Sequence, residues 1–291
     1  MSNQKAKINN PKSLFLNNVG QLVTANEDEV QCIKDTSVLI ENGQVVSIGE
    51  GYSNHSIDCG GKMVTSGFVD SHTHPVYYNK RDEEYAMRLA GASYEEIAEK
   101  GGGIISSVEG VRRASKEVLI EKVSDRMDRF ITFGTTTIEA KSGYGLDTES
   151  ELKSLDVIET VNQTHVIDMV PTFMGGHAFP IEYEDDHEAY IDLICDEMIP
   201  AVSDQGIAVF NDVFCEKGYL EQSRKILEVG TKHGLKSRLH ADEFVDSGAA
   251  KLAGEVAAFS ADHLMAVSEA GIANLAENNI VATLLPGTTF F

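Results

Sequence analysis

The first sixty residues alternate short apolar runs with turn residues, a pattern typical of β-strands. The runs SLFLNNVGQLVT and SVLIENGQVVSIG are the clearest examples. Asn42-Gly43 lies between two apolar runs, and an Asn-Gly pair tolerates the positive φ angles of a type I′ turn, so the pattern predicts a hairpin there. The Gly60-Gly61 pair predicts a boundary, which gives an N-terminal β-rich portion over residues 1–61.

From residue 62 the chain alternates short apolar runs with helical segments. The seven predicted strands cover residues 64–70, 135–141, 166–173, 208–215, 237–241, 257–262 and 280–285. The clearest predicted helices cover residues 148–161, 186–198, 220–233 and 268–277, and Thr148 with Glu151 forms a predicted capping box at the first of them. Strand-helix alternation indicates parallel strands, and it fits either a doubly wound sheet or a (β/α) barrel.

Composition narrows the function classes. The chain has 291 residues, 42% of them hydrophobic, and its 24 Lys and Arg against 46 Asp and Glu give a net charge of −22. Such an acidic chain is not expected to bind nucleic acid or an anionic membrane surface. The four cysteines form no CxxC pair, and no apolar run reaches the roughly 18 residues of a membrane span. We therefore expect a cytoplasmic protein with reduced thiols.

Histidines fall at the ends of the predicted strands. His72 and His74 lie two apart in GFVDSHTHP, so both side chains project from the same face of a strand and can bind one metal ion. His240 lies at the end of a later predicted strand, and His177 and His263 follow two others. Each alone would more often be a structural histidine, but the C-terminal ends of barrel strands are where barrel active sites assemble. The pattern therefore favours a barrel with a histidine-rich metal site.

Other polar residues stand near the same strand ends. Glu243 follows His240 by three residues and could carry a proton beside a metal-bound water, although an acid there could also begin a helix, a role that suits Asp242 better. Arg81 lies in a charged segment, where it would be either a surface residue or a clamp for a carboxylate. Lys141 ends the second barrel strand and has no predicted role. The fourth strand contains no lysine that could bridge two metals, so a single ion is expected.

Taken together, these motifs resemble the amidohydrolase superfamily and, within it, the imidazolonepropionase family. The resemblance covers essentially the whole chain, and its specific motifs are KSGYG, PTFMGGHAFP, LHADEF and TLLPGTTFF. It implies a metal-dependent (β/α) barrel over residues 62–291 with an N-terminal β-sandwich portion over residues 1–61. It also implies one Zn or Fe ion per chain, held by His72, His74 and His240, and a homodimer.

The resemblance further implies a reaction and a set of roles. The reaction is hydrolysis of 4-imidazolone-5-propanoate to N-formimidoyl-L-glutamate in histidine degradation, by a metal-activated water. Glu243 and His263 are the expected catalytic residues. The small-molecule substrate carries a carboxylate, and the expected substrate-binding residues are Arg81, Tyr144, His177 and Glu243.

Two other functions remain open at this stage. The first is another mononuclear amidohydrolase that opens a different cyclic amide or deaminates a ring, for which an Arg81 clamp would be unnecessary. The second is an inactive, truncated metal-binding fragment. The family's barrel has an eighth strand with an aspartate ligand, and the chain ends at Phe291, so we expect seven of the eight strands and an incomplete barrel.

Overall fold

A computed structural model describes residues 11–25, 29–92, 96, 102, 104–216 and 218–290. The described residues fall into two compact units that divide after Phe68. Gly60-Gly61, where the sequence predicts a boundary, forms a turn between two strands of the first unit.

The first unit is a five-stranded sheet built around a long strand. Its strands are β1 (Ser13–Ala25), β2 (Val30–Glu41), β3 (Gln44–Ile48), β4 (Ser56–Asp58) and β5 (Met63–Thr65). β1 pairs antiparallel with β2 and parallel with β4 and β5. The predicted hairpin is confirmed, because Glu41 pairs with Gln44 and the turn between them has φ angles of 50° at Asn42 and 80° at Gly43.

The described residues of the second unit form seven strands, as the sequence predicts. They are β6 (Phe68–Thr73), β7 (Thr135–Lys141), β8 (Asp168–Gly176), β9 (Phe210–Cys215), β10 (Lys236–Ala241), β11 (Ser260–His263) and β12 (Val281–Thr283). Each strand pairs with the next one in sequence, so the order runs without reversal from β6 to β12. A doubly wound sheet would reverse its strand order, whereas a barrel does not. The predicted barrel fold is confirmed.

Helices connect the barrel strands. They are α1 (Asp82–Leu89), α2 (Ile104–Arg113), α3 (Lys116–Thr132), α4 (Thr148–Thr164), α5 (His187–Leu193), α6 (Ile199–Gln205), α7 (Leu220–Lys232), α8 (Ala249–Glu255), α9 (Glu269–Glu277) and α10 (Pro286–Phe290). A π-helical turn, Ile194–Met198, joins α5 to α6. None of the described helices combines the length and the apolar character needed to cross a membrane.

The predicted capping box at α4 is wrong. Asp147, not Thr148, caps the helix, and its side chain accepts a hydrogen bond from the Ser150 amide at 2.7 Å. The Glu151 carboxylate takes no part in capping α4 and instead accepts hydrogen bonds from the amides of Gly145 and Leu146 in the preceding loop.

The core of the second unit lies between its helices and strands. Leu119, Val123 and Met127 of α3 are fully buried, as are Leu155 and Ile158 of α4. Because the barrel strands are parallel, their C-terminal ends meet at one edge, where a set of polar side chains is also buried.

Candidate active site

Three histidine side chains converge at the C-terminal end of the barrel. His72 lies in β6, His74 directly follows it, and His240 lies in β10. The Nε2 atom of His74 is 3.3 Å from Nε2 of His72 and 3.2 Å from Nε2 of His240. Nitrogen ligands about 2.05 Å from a tetrahedral zinc ion stand roughly 3.3 Å apart, so these two separations match those of ligands on one such ion. This group could hold a metal.

Buried carboxylates fix the orientation of two of these rings. The Nδ1 atom of His72 is 2.7 Å from Oδ2 of Asp262, and Nδ1 of His240 is 3.1 Å from Oδ1 of Asp212. A ring that donates from Nδ1 leaves the lone pair of Nε2 free for a metal. Burial alone would raise the pKa of Asp262, but the bond to His72 and the charges of Lys141 and Arg238 outweigh it and hold that pKa below its usual value. Sequence analysis missed both aspartates.

Burial also keeps two of the three histidines, His74 and His240, neutral. It lowers the pKa of His74 well below the ordinary value, with further contributions from His177 and His240. The pKa of His240 is likewise well below the ordinary value, again chiefly because of burial. A neutral imidazole is the form that binds a metal ion.

Lys141, which has no role in the sequence interpretation, lies at the centre of a buried charge network. Its ammonium is 2.6 Å from Asp212 and 2.9 Å from Glu139, and it is 3.9 Å from Asp262. Arg238 donates to Asp262 at 2.7 Å. Burial lowers the pKa of Lys141, but Asp212 and Glu139 more than compensate, and the net direction is upward. Lys141 therefore joins the two carboxylates that orient His72 and His240.

His263 and Glu243 stand together beside the three histidines. The ring of His263 has its centroid 5.0 Å from those of both His72 and His240, and its Nδ1 is 3.4 Å from Oε1 of Glu243. Neither ring nitrogen of His263 has a hydrogen-bond partner among the described residues. His263 also has a φ of 76°, a left-handed conformation that is costly for a residue with a Cβ and that recurs at functional sites.

The environment of Glu243 suits proton transfer near neutral pH. Burial and the nearby Glu216 carboxylate raise the pKa of Glu243 to about 7. Glu216 also accepts hydrogen bonds from the backbone N–H groups of Glu243 and Phe244, at 2.8 and 3.2 Å. Asp242 has the structural role predicted for it, because its carboxylate accepts from the first amides of α8, Ala249 and Ala250.

Tyr144 and His177 flank His74 on its other side. The His177 ring stacks on that of His74 with centroids 4.9 Å apart, and Tyr144 lies 5.1 Å from His177 and 5.9 Å from His74. The Nδ1 of His177 lies 2.8 Å from the carbonyl oxygen of Gly143, which leaves Nε2 as an acceptor when that bond forms. Burial lowers the pKa of His177 to about 4, so this ring is also neutral.

Arg81 lies farther from the centre than the other predicted site residues. It precedes α1, its side chain is 41% exposed, and its Nε donates to Glu84 at 2.7 Å. Its charge nevertheless reaches Tyr144, where it counteracts the burial that raises the pKa of that phenol. A carboxylate arriving beside Tyr144 would compete with Glu84 for the guanidinium.

A cavity of about 520 Å³ opens beside these groups. His177, Glu216 and Glu243 contribute its polar wall, and Phe179 and Phe214 belong to its apolar wall. The structure thus brings together every predicted site residue except Arg81, which lies at the periphery. The sequence signal for the residues that were missed is an acid inside an apolar strand, as in FNDVF and FSADH.

Sequence comparison identifies the family. No family model matches the chain. An imidazolonepropionase of Geobacillus sp. (strain WCH70) is 45% identical over 96% of this chain and 72% of its own length. The chain belongs to the imidazolonepropionase family. Imidazolonepropionases of Geobacillus thermodenitrificans and Clostridium tetani are 46% and 43% identical, over 93% and 96% of this chain.

Solved structures of the wider superfamily share the fold. A mutant atrazine chlorohydrolase of Arthrobacter aurescens, complexed with zinc and atraton, matches with a TM-score of 0.66 at 14% identity over 94% of this chain and 65% of its own. A 5-methylcytosine deaminase of Klebsiella pneumoniae matches with a TM-score of 0.65 at 15% identity, over 93% of this chain and 64% of its own. The predicted family and enzyme class, a hydrolase of the amidohydrolase superfamily, are confirmed. The chain spans 67% to 72% of the length of the three family members named above.

Proposed function

We propose that the chain carries the active site of an imidazolonepropionase, which hydrolyses 4-imidazolone-5-propanoate to N-formimidoyl-L-glutamate. The observation that carries this proposal is the convergence of three histidines, in which Nε2 of His74 lies 3.3 Å from that of His72 and 3.2 Å from that of His240. Glu243 and His263 stand beside them. Relatives at 41% to 46% identity bear the name of this activity.

His72, His74 and His240 would hold one zinc or iron ion per chain. Such an ion lowers the pKa of a water toward about 7 and polarises a carbonyl. Asp262 and Asp212 orient the rings of His72 and His240 so that each Nε2 would be free to bind such an ion, and Lys141 contacts both aspartates. The chain's own residues then have to bind the substrate and move one proton.

Glu243 is the proposed proton carrier. Opening the ring forms a bond between the water oxygen and the ring carbonyl carbon and breaks the bond from that carbon to nitrogen. The proton released by water has to reach the departing nitrogen, and a carboxylate with a pKa of about 7 both accepts and returns it efficiently. His263, neutral because its pKa is lowered to about 4, can donate to the developing oxyanion.

The substrate contacts proposed for Arg81, Tyr144, His177 and Glu243 come from the family resemblance. His177 and Glu243 line the cavity, and Tyr144 lies beside His177. Arg81 would exchange Glu84 for the propionate carboxylate, which is a bidentate match for a guanidinium. Arg81→Met should therefore raise KM for the propionate by about tenfold or more and leave an uncharged carboxamide analogue little affected. Equal effects on both compounds would favour an amidohydrolase of a different substrate.

The activity itself is tested with the metal-loaded chain and 4-imidazolone-5-propanoate. We expect about one metal ion per chain and turnover, with His72→Ala abolishing both and the exposed His233→Ala retaining both. Bound metal without any turnover would contradict the proposal and favour a non-catalytic metal-binding fragment. The family's homodimer and a cytoplasmic location stay predictions, and light scattering of the purified chain tests the first.

A further inference from the structure

The loop between β7 and α4 carries Tyr144 and depends on one buried carboxylate. Glu151, in α4, has no solvent exposure. Its Oε1 accepts hydrogen bonds from the amides of Gly145 at 2.8 Å and Leu146 at 3.0 Å, and its Oε2 accepts from the amide of Gly143 at 3.0 Å. One side chain thus accepts hydrogen bonds from three of the four backbone amides of residues 143–146, the segment that contains Tyr144.

Arg112 holds the same loop through its carbonyl groups. Its Nε donates to the oxygen of Gly145 at 2.7 Å, and its Nη2 donates to the oxygen of Leu146 at 3.1 Å. Glu151 and Arg112 therefore bind the donors and the acceptors of one short segment, residues 143–146.

The loop lies directly against α4, where only glycine fits. A Cβ on Gly145 would stand 2.6 Å from the carbonyl carbon of Ser150. Gly143 has a φ of 94°, and a Cβ there would be 3.1 Å from Nδ1 of His177. Since the carbonyl of Gly143 accepts from that same nitrogen, the position of the loop also sets the position of His177.

Helix capping does not explain Glu151, because Asp147 already caps α4. Among the described residues, no cationic group lies within ion-pair distance of the Glu151 carboxylate. Burial raises the pKa of Glu151, and the loop amides and the Ser142 hydroxyl are the groups that oppose this shift. Burying a carboxylate is costly unless it is fully hydrogen-bonded. The hydrogen bonds that satisfy this buried carboxylate therefore also fix the loop.

We propose that Glu151 is a positioning residue of the substrate site, which holds Tyr144 and His177 in place through the amides of residues 143–146. This inference rests on the proposed function, in which Tyr144 and His177 contact the substrate. It predicts that weakening the Glu151 bonds impairs substrate binding while leaving the metal ligands, which lie on other segments, unaffected.

Glu151→Gln tests the inference with little change of shape, because the amide nitrogen that replaces one oxygen cannot accept from the loop. Glu149→Gln is the matched control, since Glu149 lies in the same first turn of α4 and is exposed. Amide hydrogen exchange of residues 143–146 should become faster in Glu151→Gln only. KM should rise by about tenfold, kcat should change less, and the Kd for Zn²⁺ should stay within about twofold.

Loop amides that exchange as slowly in Glu151→Gln as in the wild type would overturn the inference, and so would faster exchange with an unchanged KM. A wild-type chain that binds metal but leaves the substrate intact would instead refute the proposed function. In that event the exchange rates alone decide whether Glu151 holds the loop. If Glu151→Gln does not fold, Arg112→Met tests the same loop from its carbonyl side, with the exposed Arg113→Met as control.

Discussion

The two carboxylates at the edge of the cavity determine how the activity should depend on pH. Glu243 takes a proton from water only when it is itself deprotonated, and burial with the charge of Glu216 raises its pKa to about 7. We expect kcat/KM of the metal-loaded protein to fall as the pH drops through about 7 and to level off above it. Glu243→Gln should lower kcat/KM by about 10²- to 10⁴-fold. Glu277 is exposed, and Glu277→Gln should leave kcat/KM nearly unchanged.

Glu216→Gln separates charge from position at this site. A glutamine keeps an oxygen for the amides of Glu243 and Phe244 but removes the negative charge. The pKa of Glu243 should fall, so the acid limb of the kcat/KM profile should move to lower pH. His263, 3.4 Å from Glu243, is present in both proteins and its pKa of about 4 lies below this range. An unmoved limb would show that Glu216 does not tune Glu243.

The aspartates behind the histidine rings should control metal affinity. Asp212→Asn and Asp262→Asn each replace the carboxylate that orients a ligand ring, and loss of such a partner typically weakens metal binding by about 10- to 100-fold. Competition with a chelator measures the Kd, and the exposed Asp204→Asn should bind metal as the wild type does. Wild-type affinity in both variants would mean that the rings are held by packing alone.

At the scale of the elements, α7 packs so closely on β9 that the one methyl group added by Gly230→Ala should disturb the contact. A Cβ on Gly230 would lie 2.3 Å from Nδ2 of Asn211. Asn211 is buried and donates to the carbonyl of Ile226 at 3.0 Å, so it cannot move aside without losing that bond. Gly230→Ala should lower the free energy of unfolding by roughly 1–3 kcal/mol, measured by urea denaturation.

Gly254 in α8 is the matched control for this contact. A Cβ there would lie 2.1 Å from Oδ1 of Asn274 and 2.8 Å from Nδ2 of Asn278. Oδ1 of Asn274 has no hydrogen-bond partner among the described residues, so it can rotate away without losing a bond. Nδ2 of Asn278 donates to the carbonyl of Asn274 at 2.9 Å, but this side chain is exposed and water can replace that bond. Gly254→Ala should therefore cost much less than Gly230→Ala, and the gain of about 1 kcal/mol in helix propensity is the same for both variants. Equal losses in the two variants would contradict the packing argument.

At the scale of the whole molecule, the net charge of −22 opposes a carboxylate substrate. The field extends about 30 Å at 0.01 M salt but only about 8 Å at 0.15 M, so added salt should ease the approach of an anion. We expect KM for the propionate to fall as ionic strength rises over this range and KM for its uncharged carboxamide analogue to stay constant. A KM for the propionate that rises with salt would indicate that local cations such as Arg81 dominate the encounter.

The sequence by itself determined the elements, the barrel and the inner residues of the site. Hydrophobic periodicity depends on neighbours along the chain, so the Asn42-Gly43 hairpin and the seven strands could be predicted from it. Side chains at the C-terminal ends of strands meet in any barrel, which is why the sequence alone predicts that His72, His74 and His240 lie together.

Only the tertiary structure decided which buried charges support that site. Asp212, Asp262 and Lys141 lie on three different strands, and their partnership depends on side-chain directions across the barrel that no local pattern encodes. Glu151 shows the same limit, because its spacing from Thr148 fits a capping box while the fold directs it to the loop at residues 143–146. A local motif shows which hydrogen bonds a side chain can make, but which of them form depends on the groups that the tertiary fold brings within reach.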